Sequence, residues 1–252
     1  MIAGIDGYLL NALGINLPQS IEKKKFFYTR LSKVSGGRFD PFYHQSEFEE
    51  LEKTLKHGKY RIGKLSIFLS QIHYGASVKN EYAETGIPFL RISDLKRNEI
   101  DVKEMMYLPE SIRKDLGNAF VYEGDFLISR SGTLGVIAMV TKAINGFAYG
   151  SFMIKFRLKQ DAPINRDFLS YFLNSETIQK IVARNKIGAI QGNITIPTIK
   201  NLQIPLPPLA IQTKIAVHIT EIRNQAKKIE LEATEIVEQA KARVEKMILG
   251  EA

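Results

Sequence analysis

The spacing of hydrophobic residues near the end of the sequence follows a heptad repeat. From Leu209 to Leu249 the chain contains neither Gly nor Pro, and apolar residues recur at alternating steps of four and three. Their positions are Ile215, Ile219, Ile222, Ala226, Ile229, Ala233, Ile236 and Ala240. A repeat sustained over about three and a half heptads is typical of a coiled coil. It continues through Val244 and Met247 with a stutter, which relaxes the supercoil locally.

This predicted helix is longer than one domain needs to cover its core. At 1.5 Å per residue it spans roughly 60 Å, and without Gly or Pro it cannot fold back on itself. A short helix predicted from Ile2 to Leu13 is too short to cover it. We therefore predict that most of this row of heptad residues, the seam, packs against a second copy of the chain in a two-fold pair. The alternative is a helix docked along the protein's own body.

Two further helices are predicted between this short helix and the long one. Residues 46–56 (SEFEELEKTLK) form a helix in which Ser46 is the N-cap and Glu49 completes a capping box. Its apolar face consists of Phe48, Leu51 and Leu55. Residues 164–185 predict one further helix, with an apolar face of Phe168, Phe172 and Ile178 that packs on the sheet.

Five short apolar runs have the length and spacing of strands. They are KLSIFL (64–69), PFLRIS (88–93), GDFLIS (124–129), GVIAMV (135–140) and FMIKFRL (152–158). The proline-rich QIPLPP (203–208) predicts an extended strut. The sequence thus predicts an α+β fold with a short N-terminal helical segment (1–20), a globular domain of mixed sheet and helix (21–207) and a long coiled-coil helix (208–252).

The positive charge belongs to the globular part. The chain carries a net charge of +8, but from Pro208 onward seven basic residues balance seven acidic ones. A basic body beside a neutral helix is the distribution expected of a nucleic-acid reader with a separate assembly element. A Lys-rich solvated surface explains the charge equally well.

Composition excludes several kinds of site. The chain has no cysteine, which rules out disulfides, thiol nucleophiles and Cys-ligated metals. Its four histidines include no pair at helical spacing for a metal. No stretch is long and apolar enough for a membrane span, and the start lacks the features of a signal peptide. We expect a soluble, cytoplasmic protein without a membrane partner.

Three fragments resemble catalytic motifs but fit binding better. DPFY (40–43) is close to the base-holding loop of amino-methyltransferases, yet the upstream chain is too short for an S-adenosylmethionine domain. Asp101 and Lys103, with Asp94 upstream, match a nuclease triplet that chance also produces. RSGTLG (130–135) lacks the Lys-Ser/Thr of a P-loop and predicts a tight turn between strands. The sequence therefore indicates binding rather than catalysis.

Several motifs in order along the chain resemble one known family. RISDL (91–95), GDFLISRSGTLG (124–135), GAIQGNITIPTIKNLQIPLPPLAIQTKI (188–215) and the long helix are similar to the target-recognition domain and conserved helix of specificity subunits of type I restriction-modification enzymes. GGRFDPFYH (36–44) is similar to the start of such a domain. Such subunits usually carry two recognition domains and two conserved helices, whereas this chain has one of each. It resembles a half-length subunit or the C-terminal half of a whole one.

The resemblance implies a division of labour among subunits. In this family the long helix acts as a spacer that pairs antiparallel with another helix and holds two recognition domains apart. Methyltransferase subunits dock on this frame with S-adenosylmethionine, and ATP-driven restriction subunits join them. The resemblance therefore implies double-stranded DNA and these subunits as partners, no cofactor in this chain, and no catalytic residue. A pair of identical chains is expected to read an interrupted palindrome.

DNA contacts are expected from polar residues in loops that flank the strands. Phosphate contacts favour Lys, Arg, hydroxyls and loop N–H groups, while base contacts favour Arg, Asn and Gln. The candidates are Tyr74, Ser77, Lys79, Lys96, Arg97, Arg130, Ser131, Thr133, Tyr149, Lys186, Gln191 and Asn193. Among them, Arg130 with Ser131 and the segment 186–193 are favoured because both are polar and flanked by Gly.

Two other functions fit the same features. A coiled-coil assembly protein would use the basic surface to meet an acidic protein, and its affinity for DNA would not fall steeply with salt. A stand-alone DNA-binding regulator usually carries a helix-turn-helix, and no short helix pair with the required turn is evident in the sequence.

Overall fold

The described residues form helices and short strands that lead into one long helix. The computed structural model describes residues 4–17, 26, 28–34, 39–79, 82–185 and 192–250. Its helices are α1 (Ile5–Ala12), α2 (Leu31–Val34), α3 (Ser46–Lys56), α4 (Arg166–Asn174), α5 (Glu176–Arg184), α6 (Ile196–Lys200) and α7 (Leu209–Leu249). The predicted α+β class with a long final helix is confirmed. The predicted boundary between residues 20 and 21 lies outside the described residues, and the three-part division stays a prediction.

Short strands build four sheets within the described part of the chain. They are β1 (Ile62–Lys64), β2 (Leu69–Tyr74), β3 (Ile87–Leu90), β4 (Leu95–Lys96), β5 (Glu99–Ile100), β6 (Met106–Leu108), β7 (Phe126–Ser129), β8 (Ile137–Met139), β9 (Ala148–Tyr149), β10 (Met153–Leu158) and β11 (Gln203–Pro205). An antiparallel sheet has the order β2-β10-β7-β8. A second has the order β6-β3-β9, and β1-β11 and β4-β5 are two-stranded.

The four-stranded sheet is covered on both faces. Alternate residues of a strand point to opposite faces, and all four residues of β7 are buried. Phe126 stacks on Phe156 of β10, with ring centroids 4.9 Å apart, and both join α4 in the main core. Leu127 faces the other way, into a smaller core with Leu90. This sheet is therefore held rigidly between the helices and the smaller sheet.

The predicted strand at KLSIFL is wrong. Only Lys64 and Leu69 of this run lie in strands, and Leu65–Phe68 forms a 3-10 turn between β1 and β2. In a strand, Leu65 and Ile67 would share a face, but Ile67 is 58% exposed. The turn instead buries Leu65 and Phe68, which suits residues three apart in a 3-10 helix.

The helix predicted over residues 164–185 is two helices. Ser175 has extended backbone angles (φ −62°, ψ 147°) and separates α4 from α5. Its hydroxyl donates to the carbonyl of Phe172 at 2.7 Å, which satisfies an end of α4. Phe168, Phe172 and Ile178 are nevertheless buried, as predicted. The break lets both helices keep their apolar faces on the same core.

The start of α3 differs from the predicted capping box. Gln45 is the N-cap, Ser46 is the first helical residue, and no side-chain cap bond occurs there in the described residues. A turn immediately upstream, in which the carboxylate of Asp40 accepts from the Phe42 N–H at 3.0 Å, already sets how the chain enters the helix. The predicted apolar face of Phe48, Leu51 and Leu55 is buried.

The predicted extended strut is part of the body. Gln203–Pro205 pairs with β1 as β11, and the Leu206 N–H donates to the Arg61 carbonyl at 2.8 Å. Proline tolerates this position because, among the described strands, β11 pairs with β1 alone. The long helix therefore leaves directly from a strand.

The first turns of α7 belong to the protein's own core. Ile215 and Ile219 are fully buried with residues of α1 and α4, and Tyr8 of α1 lies against His218 with ring centroids 4.3 Å apart. Gln212 is buried and links the helix to the loop before α4, accepting from the Asn165 N–H at 2.8 Å. Ile215 and Ile219, predicted to lie in a dimer interface, are therefore already covered by the chain itself. Ile222 packs partly on the same core.

Beyond this point the same helix is uncovered. In the described structure Ile229, Ile236, Val244 and Met247 are exposed, and Ala226, Ala233 and Ala240 continue the row between them. The heptad seam thus has an inner half on the body and an outer half that a second chain remains free to cover.

Ile219→Ala should lower the free energy of unfolding by about 2–5 kcal/mol, because it leaves a cavity where α7 meets the core. Val217→Ala, on an exposed position of the same turn, should change it by no more than about 0.5 kcal/mol. Urea unfolding followed by circular dichroism measures both. Equal midpoints for the two variants would show that the base of α7 does not contribute to the core.

Candidate nucleic-acid interface

Three chain segments converge at one end of the four-stranded sheet. Tyr74 ends β2, Arg130 follows β7 and Phe152 precedes β10. Because neighbouring strands are antiparallel, the end of one strand lies beside the start of the next. The Arg130 N–H donates to the Phe152 carbonyl at 2.9 Å, and a Cβ at Gly75 would clash with the carbonyl of Gly150. Close backbone packing therefore fixes this sheet edge.

Arg130 stands at the centre of this edge. Its guanidinium lies over the Tyr74 ring, 4.7 Å from the ring centroid, in a cation–π contact. The Tyr74 hydroxyl accepts from the Ile196 N–H at 3.3 Å, which restrains the ring. The Nε atom of Arg130 is buried and has no hydrogen-bond partner among the residues that the structure describes. The site thus holds an arginine whose guanidinium is oriented by an aromatic ring.

Ser131 supports the site from within. It is buried, and its hydroxyl donates to Oδ1 of Asn193 at 2.6 Å. The Ile194 N–H donates to the Arg130 carbonyl at 3.0 Å, so the segment around Asn193 is tied to the turn. Ser131 was predicted to contact DNA directly, but its side chain is 3% exposed, so it supports Asn193 instead. Two predicted contact residues, Arg130 and Asn193, therefore lie on neighbouring segments.

The turn at residues 130–135 is a rigid connection between β7 and β8, as predicted. Ser129 donates its hydroxyl to the Thr133 carbonyl and accepts from the Val136 N–H. Gly132 and Gly135 have φ of +65° and +78°, which only glycine adopts without strain. Thr133 is exposed at this turn.

Lys96 and Arg97 lie on a second loop next to the same turn. The two residues, with Thr133 and Gly132, line a cleft of about 430 Å³. Asn98 follows them with φ +62°, and its side-chain oxygen accepts from Ser170 and Asn174, each at 2.9 Å. The tip of the β4-β5 hairpin is therefore fixed to α4. Two basic side chains are presented from a rigid hairpin.

Other candidates fall into two groups. Ser77 and Lys79 are exposed on the segment that follows β2, and the Ser151 N–H donates to the Ala76 carbonyl at 2.8 Å, which keeps this segment beside the site. Lys186 and Gln191 lie outside the described residues, as does most of the favoured segment 186–193.

The prediction that Tyr149 contacts DNA at the surface is wrong. It is 0% exposed, and its hydroxyl donates to the carbonyls of His73 and Tyr74, both at 3.2 Å. Burial raises the pKa of Tyr149. The buried Lys155 lies next to it, donates to the Phe120 carbonyl at 2.6 Å, and has a pKa lowered by burial. Tyr149 and Lys155 therefore support the sheet edge from below.

Phe152 is a site residue that the sequence did not indicate. The sequence predicts a strand from Phe152 to Leu158, but β10 begins at Met153. Its side chain is 53% exposed beside Arg130. The neighbouring Gly150 and Ser151 were the signal for a turn here. An exposed aromatic ring next to an arginine extends the candidate surface.

The nuclease-like residues Asp94, Asp101 and Lys103 are not arranged as a catalytic site in the structure. Asp94 is buried and pairs with Arg91, with Nη2 and Oδ1 2.9 Å apart. Oδ1 of Asp101 accepts from the Lys103 N–H at 3.2 Å. Within the described residues, no three His, Asp or Glu side chains are placed to hold a metal. None of the described helices is long and apolar enough to cross a membrane.

Comparison with known proteins assigns the class. A family described as "Type I restriction modification DNA specificity domain" matches residues 69–239, which contain the sheet edge, the hairpin and most of α7. This match covers more than half of the chain, and the protein belongs to that family. The resemblance to this family that is seen in the sequence is confirmed.

Two relatives come from Methanocaldococcus jannaschii. The putative type I restriction enzyme MjaX specificity subunit is 24% identical over 189 residues, 73% of this chain and 44% of the relative. The type I restriction enzyme MjaVIII specificity subunit is 26% identical over 178 residues, which are 68% of this chain and 40% of the relative. The chain thus spans less than half the length of these relatives.

Solved structures share the fold. A chain from a type I R-M system assembly aligns with a TM-score of 0.55 and 21% identity, over 76% of this chain and 45% of that one. The HsdS subunit from Thermoanaerobacter tengcongensis aligns with a TM-score of 0.51 and 19% identity, over 77% of this chain and 46% of that one.

Proposed function

We propose that this chain reads one short DNA sequence for a type I restriction-modification enzyme through the end of its four-stranded sheet. The observation that carries the proposal is Arg130, whose guanidinium is held over the Tyr74 ring at the end of the sheet. An arginine held in one orientation is suited to guanine or phosphate oxygens. Asn193, Thr133 and Phe152 lie around it and offer polar and apolar contacts to base edges.

Basic residues around this edge supply phosphate contacts. Lys79, Lys96 and Arg97 are exposed on the loops beside the sheet end. Phosphate contacts position a protein on DNA, while base contacts supply specificity. We therefore assign Lys79, Lys96, Arg97 and Ser77 to the backbone of the duplex, and Arg130 and Asn193 to the bases.

Assembly uses the outer half of α7 in this proposal. Residues 208–252 form the spacer, residues 21–207 the recognition domain and residues 1–20 an adjoining helical segment. Two copies pair through Ala226, Ile229, Ala233, Ile236 and Ala240, and each reads the same half-site on opposite strands. The target is then an interrupted palindrome. Methyltransferase subunits bind this frame with S-adenosylmethionine, and restriction subunits with ATP join through them.

Arg130→Ala should weaken the binding of this protein to a DNA duplex that contains its target site by about 1–3 kcal/mol, since a positioned contact to a base or phosphate is lost. Lys159→Ala is the matched control, because Lys159 is exposed just beyond β10 at the opposite end of the same sheet. Fluorescence anisotropy over a salt series measures both variants. A lower salt slope assigns Arg130 to phosphate, and relaxed sequence preference assigns it to a base. Unchanged affinity for Arg130→Ala contradicts the proposed site.

Ile236→Asp should abolish self-association, because pairing would bury the new carboxylate at a cost of several kcal/mol. Leu231→Asp is the control, since Leu231 is 64% and Ile236 66% exposed in one chain, yet Leu231 lies off the heptad seam. Sedimentation velocity at micromolar concentration distinguishes the two. A wild-type chain that stays monomeric, or equal behaviour of the variants, contradicts pairing through the seam.

A further inference from the structure

Two exposed aromatic side chains stand at the end of the four-stranded sheet. Phe152 is 53% exposed and Tyr74 is 41% exposed. Tyr74 carries the Arg130 guanidinium on its ring. Single exposed apolar residues are common on protein surfaces, but among the described phenylalanines after residue 45 only Phe152 is exposed. Its exposure therefore coincides with the candidate interface rather than with the rest of the body.

The backbone of Phe152 is fixed next to Arg130. Strands β7 and β10 pair with Ser129 opposite Met153, so the next pair along the ladder is Arg130 and Phe152. The Arg130 N–H donates to the Phe152 carbonyl at 2.9 Å. Residues directly opposite on antiparallel strands project from the same face, with Cβ atoms about 5 Å apart. The aromatic ring and the guanidinium therefore start from neighbouring points on one face of the sheet end.

This spacing suits neighbouring base pairs of a duplex. Successive base pairs lie about 3.4 Å apart along the helix axis, which is comparable with the separation of about 5 Å between the two side-chain attachment points. In the proposed function Arg130 contacts a base edge, and guanine is the base whose edge best matches a guanidinium. Phe152 then faces the base pair next to that one.

The groove surface of DNA limits what a phenyl ring can recognise. In the major groove, the apolar group that distinguishes one base pair from another is the C5-methyl group of thymine, and the other distinguishing groups are hydrogen-bond donors and acceptors. A phenyl ring leaves a donor or acceptor that it covers without a partner, which costs free energy. A thymine methyl group packed on the ring instead removes apolar surface of both groups from water.

Insertion between base pairs is the other way in which proteins use an apolar side chain on DNA. An inserted ring must stand clear of its neighbours, and unstacking the base step costs free energy. Nearly half of the Phe152 side chain is covered by protein, and its carbonyl accepts from the Arg130 N–H. The ring is therefore placed to lie against base edges rather than to enter the stack.

We propose that Phe152 recognises a thymine by packing on its C5-methyl group, in the base pair next to the one that Arg130 contacts. Each half-site then contains a T·A pair that is specified by an apolar contact instead of a hydrogen bond. This inference rests on the proposed function and assigns one further base pair to the residues that read it.

Replacement of thymine by uracil tests the proposal, because uracil keeps the base pairing and lacks only the methyl group. The probe is the duplex that the full chain selects from a random-sequence library, with each thymine of the half-site replaced in turn. Fluorescence anisotropy at fixed salt should show that one replacement weakens wild-type binding about fourfold, the loss expected for one buried methyl group. Phe152→Ala should bind the thymine and uracil duplexes equally, and Phe152→Leu, which retains an apolar side chain, should keep part of the difference.

Ile67→Ala is the matched control, since Ile67 is 58% exposed just before the start of β2, at the opposite end of the same sheet. It should keep the wild-type ratio of the two affinities. The inference is overturned by a selected half-site without thymine, by equal wild-type affinity for every uracil duplex, or by an undiminished uracil effect in Phe152→Ala. If the chain enriches no sequence, the proposed function itself fails, whereas sequence-specific binding that ignores the methyl group refutes only the role of Phe152.

Discussion

The burial of the first turns of α7 in the main core is the constraint on which the rest of the arrangement depends. Ile215 and Ile219 pack with α1 and α4, and Gln212 bonds the loop before α4. Because α4 also covers the four-stranded sheet, the helix direction and the sheet orientation are set by one core. In the proposed pair, this helix of 41 residues links the position of the second chain to the proposed recognition surface.

The candidate DNA surface at the end of the four-stranded sheet is also held in place by buried groups. Hydrogen bonds hold the segments that carry its side chains: the Ser131 hydroxyl donates to Asn193, the Tyr149 hydroxyl donates to the Tyr74 carbonyl, and Ser170 donates to Asn98 at the tip of the hairpin that carries Lys96. Segments held in place before a ligand arrives lose less entropy on binding. In the proposed function, sequence preference is then a property of the whole sheet end rather than of a single loop.

The sequence was informative where one physical signal dominated. The bounds of α7 followed from a Pro-terminated, Gly-free heptad run, and the turn at 130–135 from its glycines. Tyr74 and Tyr149 look alike in sequence, and only pairing of β9 with β3 buries the second. Ile215 and Ile229 also occupy equivalent heptad positions, and the packing of α1 and α4 decides which is covered. The break at Ser175 and the 3-10 turn at Leu65–Phe68 likewise depend on tertiary packing, which overrides local preference.

The central claim is that two identical chains, held by one coil, present the same reading surface twice. Mapping of methylated sites after co-expression of this chain with its methyltransferase subunit tests that claim most directly. If the chain forms a homodimer with a two-fold axis through the coil, the methyltransferase subunit should methylate two identical inverted half-sites around unread base pairs. An asymmetric split site for this chain alone would contradict the account.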